Sequence, residues 1–551
     1  MTDRFALNEG TPFTNNGCPT ALGPYCGGTW RGIMDNLDYI QGMNFDAIWM
    51  SPVVAQLPQL TEDGKSYAGY WQQNLYDINS NYGSADDLHA LIDAIHDRGM
   101  FFMMDVVVNH MAFAGHTIDY TVLNPFNDEK YYHSYCEMDY SGSNLTSLEE
   151  CWLGSWFVPL ADLKTELPEV QDMFGEWITG MVANYSVDGL RIDAGANVEP
   201  GFFTKFVGSA GVFATAEVYL SDDTTACEWQ ETVGSIINYP LYWPLTSGFQ
   251  QDGNFSELAA MMESQKSSCK DTTVLGTFSE NHDVPRFANH TSDLSLAKNV
   301  AAFILMSDGI PIMYQGQEQH LAGGTVPFTN REPLWETGLD IFAPLYQQTA
   351  NLNTLRKHVI ETSPTFTTIQ SNVTYQQDDC MVLRRGAEGA QIISIFTNGG
   401  EDAASSDLQL SASDHGYPSG TNLTEVLTCA CYVVDGNGQL TVHMEGGAPK
   451  VLYPSASLSN SSLCNMGGAK FSNNLSQTMT STTITTTIGG TPTATVAVAT
   501  MPVYASQTLE ATSPTASSLA LQTVADTKFV VSAFAIALAL SSGIAGLFLG
   551  S

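Results

Sequence analysis

The sequence predicts a β/α barrel carrying an insertion after its third strand, followed by a small antiparallel β-domain. Three observations predict it. Short apolar runs alternate with amphipathic stretches through residues 1–360. The rhythm breaks once, between about His110 and Leu163. From about Pro364 to Cys464 it gives way to β-patterned segments separated by Gly, Asn and Asp turns. Alternating strands and helices imply a parallel sheet with crossover helices.

In chain order, the strand-like runs are 47–50, 101–108, 189–192, 212–216, 235–238, 274–278 and 311–314. Helical patterns at 85–98, 170–184 and 255–266 lie between them. Seven such strands suit a (β/α)8 barrel better than an open dinucleotide sheet. No G-x-G-x-x-G opens a helix after the first strand, which argues the same way. The insertion contains aromatics and two cysteines with little periodicity. In the C-terminal part, 381–384, 391–396 and 451–453 read as strands. The expected organisation is a barrel at 1–109 and 164–363, an inserted domain at 110–163 and a β-domain at 364–468. A stalk at 469–527 and a tail at 528–551 follow.

The stalk is rich in Ser and Thr, with only Glu510 and Asp526 charged between Phe471 and Thr527. Such composition cannot build a core and suits O-glycosylation. The tail from Phe529 to Leu549 is apolar and uncharged. By length it could span a membrane. The preceding small residues Ala516-Ser517-Ser518, the polar spacer and the lack of a basic flank favour a glycosylphosphatidylinositol-attachment signal.

Of 551 residues, 58 are acidic and 20 basic, giving a net charge of -38. Only 14% are charged, so the imbalance reflects missing Lys and Arg. Nucleic acid is excluded as a partner, because phosphate neutralisation needs basic stripes. A neutral substrate or an acidic setting remains open. Ten cysteines without C-x-x-C spacing favour a few disulfides over a metal cluster, hence an oxidising compartment. N-glycosylation sequons begin at Asn144, Asn184, Asn254, Asn289, Asn372, Asn422, Asn460 and Asn474, which favours secretion.

Barrel sites lie where strands end. The strand ends deliver Asn109 and His110, then Arg191 and Asp193, then Glu217, then Glu280-Asn281-His282-Asp283. Carboxylates converging from three strand ends, with an Arg and two His, are equipment for glycosidic cleavage. One acid attacks the anomeric carbon, and another protonates the leaving oxygen and later activates water. An adjacent Arg keeps the nucleophile ionised. Loop aromatics Tyr67, Tyr70, Trp71, Trp152 and Trp156 are candidate stacking platforms for sugar rings, or ordinary packing residues.

Gly69-Tyr70-Trp71-Gln72-Gln73, Asp105-Val106-Val107-Val108-Asn109-His110, Gly189-Leu190-Arg191-Ile192-Asp193, Glu217-Val218 and Glu280-Asn281-His282-Asp283 resemble the ordered blocks of the secreted fungal α-amylases of glycoside hydrolase family 13. The resemblance runs from Met1 to about Cys464. It implies a (β/α)8 TIM barrel, a domain inserted after the third strand and a C-terminal antiparallel β-sandwich. It implies Asp193 as nucleophile, Glu217 as general acid/base and Asp283 as transition-state stabiliser. Tyr70, Trp71, His110, Arg191, His282 and Arg331 would hold the sugar. A structural Ca²⁺ would be bound by Asn109, Glu149, Asp162 and Asn197, the last through its carbonyl; hard oxygen donors suit that ion. The family's disulfides would map to Cys18–Cys26, Cys136–Cys151, Cys227–Cys269 and Cys429–Cys464. The remaining Cys380 and Cys431 are expected to pair within the β-domain.

Three positions depart from the family pattern. Ala196-Asn197 replaces a Lys-His pair on the leaving-group side, Val326 replaces a donor-side Asp near Arg331, and Ala68 replaces a His. Each lost sugar contact weakens binding by ~0.5–3 kcal/mol. Anchored fungal members of the family resemble this pattern, and some are 4-α-glucanotransferases acting in wall α-glucan synthesis.

The expected activity is therefore retaining, internal cleavage of α-1,4-glucan by a monomer held at the cell surface or wall through a lipid anchor. The alternatives are a 4-α-glucanotransferase and a non-catalytic glucan-binding wall protein. In the family, Thr2-Asp3-Arg4-Phe5 follows directly on the first barrel strand. The natural product is thus expected to begin upstream, with a signal peptide and that strand.

Overall fold

A computed structural model describes residues 1–465 except 11–17, 21–22, 116, 140–143 and 327. The expected stalk and anchor signal lie outside the described residues.

Among the described residues, twenty strands occur in chain order. They are β1 (Ala47–Met50), β2 (Val54–Gln56), β3 (Gln72–Ile78), β4 (Phe101–Val107), β5 (His110–Ala112), β6 (Leu153–Gly154) and β7 (Pro159–Asp162). Next come β8 (Gly189–Asp193), β9 (Phe213–Glu217), β10 (Ile236–Ile237), β11 (Gly276–Thr277) and β12 (Ile310–Pro311). The last are β13 (Asn372–Gln376), β14 (Cys380–Arg385), β15 (Ile392–Thr397), β16 (Ser406–Leu410), β17 (Asn422–Glu425), β18 (Cys431–Val433), β19 (Leu440–Met444) and β20 (Lys450–Pro454).

Seven strands form the parallel barrel sheet in the order β1-β4-β8-β9-β10-β11-β12. β4 reads Phe-Phe-Met-Met-Asp-Val-Val and is buried almost throughout. Such continuous apolar runs are what a sheet covered on both faces requires. The helix Ala85–Asp97 shows how the outer layer is made: Ser84 and Asp87 form a capping box, and Leu88, Leu91, Ile92 and Ile95 are buried. That spacing places them on one helical face. The Met1 nitrogen lies 2.9 Å from Gln315 Oε1, and Thr2 N–H donates to Ser51 Oγ at 3.1 Å. The N-terminal turn is thereby tied to the ends of both β12 and β1.

The later barrel strands are shorter than the sequence suggests. The run 235–238 yields only two strand residues; Asn238 N–H still donates to the Gly276 carbonyl at 2.8 Å, while its side chain caps the following helix, accepting from Leu241 N–H at 3.1 Å.

The insertion after β4 is a three-stranded antiparallel sheet, β5-β7-β6. Cys136 and Cys151 are bonded across its loop. The C-terminal part is all β, with a six-stranded sheet, β13-β14-β15-β20-β17-β18, and a two-stranded one, β16-β19. Val382, Ile393, Ile395, Leu410, Leu440 and Val442 form one core between the two sheets. Alternate residues Met381, Leu383, Ile392 and Phe396 instead join Phe249 and Phe303 in a core shared with the barrel helices. This two-residue alternation lets one sheet serve both cores.

Four disulfides join Cys18–Cys26, Cys136–Cys151, Cys227–Cys269 and Cys429–Cys464. The expected fifth is absent: Cys380 and Cys431 are free thiols. Cys380 opens β14 and Cys431 opens β18, with β15, β20 and β17 between them. At ~4.8 Å per strand step they stand far beyond the ~7 Å Cα reach of a disulfide.

Candidate active site

The strand order brings the predicted residues to one end of the barrel. β8 ends on Asp193, with Arg191 pointing the same way two residues earlier. β9 ends on Glu217. The loop after β11 carries Glu280, His282 and Asp283.

Arg191 organises the cluster. Its Nη1 lies 2.9 Å from Asp193 Oδ1 and 3.0 Å from Asp105 Oδ1, and its Nη2 lies 2.8 Å from Glu217 Oε2. All four side chains are buried. Burial alone would lower the Arg191 pKa, but the three carboxylates outweigh it and hold the guanidinium charged. Burial pushes Asp193 well up; Arg191 opposes that rise, while Glu217 and Asp105 add repulsion. Glu217 Oε2 also accepts from Ala194 N–H at 3.0 Å, and its Oε1 accepts from the Tyr239 hydroxyl at 3.2 Å.

Asp283 sits on a second arm. Its Oδ2 is 3.0 Å from His282 Nε2, and its Oδ1 is 3.4 Å from Arg331 Nη2. Arg331 also donates to the His282 carbonyl at 3.1 Å and the Tyr67 hydroxyl at 2.9 Å. Burial, with Arg331 and Arg191 nearby, pushes the His282 imidazole well below its usual range. Tyr70 stacks on His282 with ring centroids 5.8 Å apart.

His110 Nε2 is 3.0 Å from the Tyr70 carbonyl, and its Nδ1 is 3.3 Å from Asn109 Nδ2. Since a carbonyl only accepts, the proton is on Nε2 and the ring is neutral. Burial lowers its pKa to about 4. Trp71 is buried, as Tyr70, His110 and His282 also are, and its backbone N–H donates to Gln56 Oε1 at 2.7 Å.

Two buried carboxylates stand in the sequence blocks above but were given no role there. Asp105 lies within β4, inside an apolar run that reads as core. It accepts from Trp49 Nε1 and from the Tyr70 hydroxyl, both at 2.9 Å, and burial raises it to about 6. Glu280 is bonded to Arg286 Nη1 at 3.0 Å and Phe287 N–H at 2.9 Å, and burial raises it to about 7. A charged residue inside an apolar strand was the signal for Asp105.

The predicted Ca²⁺ residues lie where the insertion leaves the barrel. Asn109 falls between β4 and β5, Asp162 ends β7, Glu149 is in the helix Leu145–Glu150 and Asn197 is in the turn Gly195–Asn197. Asn197 Nδ2 donates to the Leu148 carbonyl at 3.0 Å, next to Glu149. Burial raises Asp162 to about 8, with its partner His133 at 2.7 Å opposing and Glu166 and Glu199 adding repulsion. No group of three or more His, Cys, Asp or Glu side chains forms a metal site among the described residues. The donor set is instead amide and carboxylate oxygen around a buried acid with acidic neighbours, chemistry that fits Ca²⁺.

Comparison with known proteins identifies the family. The family profile "Alpha amylase, catalytic domain" matches residues 1–422, and "Alpha-amylase, domain C" matches residues 373–472. The chain is 43% identical over 468 residues to "Alpha-amylase 2" of Schwanniomyces occidentalis, covering 84% of this chain and 91% of that one. It is 42% identical over 457 residues to "Alpha-amylase" of Saccharomycopsis fibuligera, covering 82% and 90%. The solved structure of an alpha-amylase from Malbranchea cinnamomea superposes with a TM-score of 0.80 at 42% identity, covering 84% and 97%. A buried Arg191 that touches both strand-end carboxylates, on a barrel followed by an all-β domain, is thus found in a chain that belongs to the alpha-amylase family.

Proposed function

We propose that this protein is a retaining α-1,4-glucan hydrolase that cleaves internal bonds, with Asp193 as nucleophile, Glu217 as general acid/base and Asp283 as transition-state stabiliser. The observation that carries the reading is Arg191, whose two terminal nitrogens contact Asp193 and Glu217. Carboxylates bridged by one guanidinium suit direct attack; inversion needs a wider gap for an interposed water. Asp193 bonds to the anomeric carbon as Glu217 gives its proton to the leaving oxygen. Glu217 then takes a proton from water, which displaces Asp193. Asp283, fixed by His282 and Arg331, faces the positive charge that develops on the sugar. Tyr70 would stack on the ring, with His110 and His282, both neutral, beside it.

Asn109, Glu149, Asp162 and the Asn197 carbonyl would hold a structural Ca²⁺. The ion would neutralise the acids around Asp162 and brace the insertion against the barrel. The four disulfides and the exposed asparagines of the seven described sequons support an extracellular setting. A lipid anchor attached within the C-terminal segment would hold the enzyme at the surface or wall; release by a phosphatidylinositol-specific phospholipase tests it.

One observation favours the transferase reading. Ala196 is buried, and the Asn197 amide is turned onto Leu148, so neither offers a charged contact to a leaving chain. Incubation with maltopentaose tests both readings. New reducing ends with α-configured products mean retaining hydrolysis; longer oligomers without new reducing ends mean transfer. Turnover in neither form refutes the proposal.

A further inference from the structure

The aromatic surface does not stop at the cleft. Tyr239, whose hydroxyl donates to Glu217, packs against Tyr219 with centroids 4.4 Å apart. Tyr219 is close enough to Asp283 and Glu217 for both to repel its ionised form. Its ring then meets Trp243 edge-on at 6.1 Å. Tyr219 is 40% exposed and Trp243 42%. Seven of the nine tryptophans are buried or half-buried, so Trp243 is unusual in presenting its indole to solvent.

Beyond Trp243 lies a groove of about 380 Å³ between the helices Tyr239–Gly248 and Phe255–Ser268. One wall is Pro240, Trp243 and Pro244; the other is Glu257, Ala260, Met261 and Ser264. The second set recurs at i, i+3, i+4 and i+7, so it is a single helical face, exposed at Glu257, Ala260 and Ser264. The volume falls in the ~300–1,000 Å³ range of ligand sites. The lining mixes an indole and a thioether with hydroxyls and one carboxylate, and contains no basic group. Apolar sugar faces and sugar hydroxyls match such a surface, whereas a phosphate or an acidic peptide does not.

We propose that this groove is a remote subsite for the leaving-side arm of an α-glucan chain, continuous with the cleft through Tyr219. The proposal rests on the hydrolase reading above. The side follows from chemistry: Glu217 delivers its proton to the departing oxygen, and Tyr219 extends from Glu217 along the same loop. In a transfer reaction, the same groove would hold the incoming acceptor.

The test compares kcat/KM on maltoheptaose with kcat/KM on an aryl α-maltotrioside, whose leaving group is too short to reach the groove. Trp243→Ala removes one wall, and Ala260→Arg fills the groove from the other helix. In both variants the ratio of long to short substrate is expected to fall about fivefold. Because the ratio is internal to each variant, partial misfolding does not imitate the effect. An unchanged ratio in both variants overturns the groove while leaving the hydrolase reading intact. A fall in Trp243→Ala alone confines the effect to the cleft rim and also overturns it. Wild-type protein that turns over neither substrate refutes the hydrolase reading itself.

Discussion

The Tyr70 hydroxyl donates to Asp105 Oδ2 at 2.9 Å, while Asp105 Oδ1 holds Arg191 at 3.0 Å. One buried carboxylate therefore sets both the stacking ring and the guanidinium that spans Asp193 and Glu217. Asp105 thus acts through its neighbours as a positioning residue. Asp105→Asn should lower kcat about ten- to hundredfold and cost about 3–5 kcal/mol of stability, the usual result of breaking a buried charge network. Kinetics on maltopentaose together with denaturant unfolding would check it; a variant with normal kcat would remove Asp105 from the mechanism.

Asp193→Asn should lower turnover about ten-thousandfold, and Glu217→Gln about a thousandfold. The two should differ in kind. With an activated glycosyl fluoride, which needs little acid assistance, Glu217→Gln should accumulate a covalent adduct on Asp193. Intact-mass spectrometry reads the added glycosyl mass. An adduct on another residue would reassign the nucleophile.

His110 gives the fold an acid sensitivity of definite sign. Its folded pKa of about 4 lies below the ordinary 6.5. Between those values the unfolded chain binds a proton that the folded site refuses. Its contribution is complete above pH 6.5 and is lost as pH falls toward 4, by about 3 kcal/mol in total. His110→Gln should therefore lose less stability than wild type over that interval. Parallel unfolding curves at each pH would contradict this.

Chelation tests the Ca²⁺ proposal independently of activity. Removing divalent ions should lower the melting temperature of the wild type by about 10 °C, restored by added Ca²⁺. Asp162→Asn should respond to neither treatment. A wild type indifferent to chelator would leave Asp162 as an acid neutralised by its own raised pKa and His133.

The two unpaired cysteines predict a simple titration. Unreduced protein should release two thiols per chain once denatured, and before that only exposed Cys431 should react quickly. Burial pushes the Cys380 thiol up to about 12, so it should be slow in the native state. A chain with no titratable thiol would restore the fifth disulfide.

The sequence by itself determined the order of the elements and the chemistry they deliver. Strand-end position alone marked Arg191, Asp193, Glu217 and Asp283, because barrels expose the ends of strands and bury their middles. The same rule concealed Asp105, which sits inside β4 and reads as core. Pairing was not legible either. Leftover counting joined Cys380 to Cys431, but strand order separates them by three strands, and sheet spacing fixes that distance. Tertiary structure alone decided that Trp71 is buried while Trp243 is exposed, and that Tyr239 and Tyr219 lead outward from Glu217. Side-chain identity records what a residue can do. Which neighbours it meets depends on contacts distant in sequence, and those exist only once the barrel has formed.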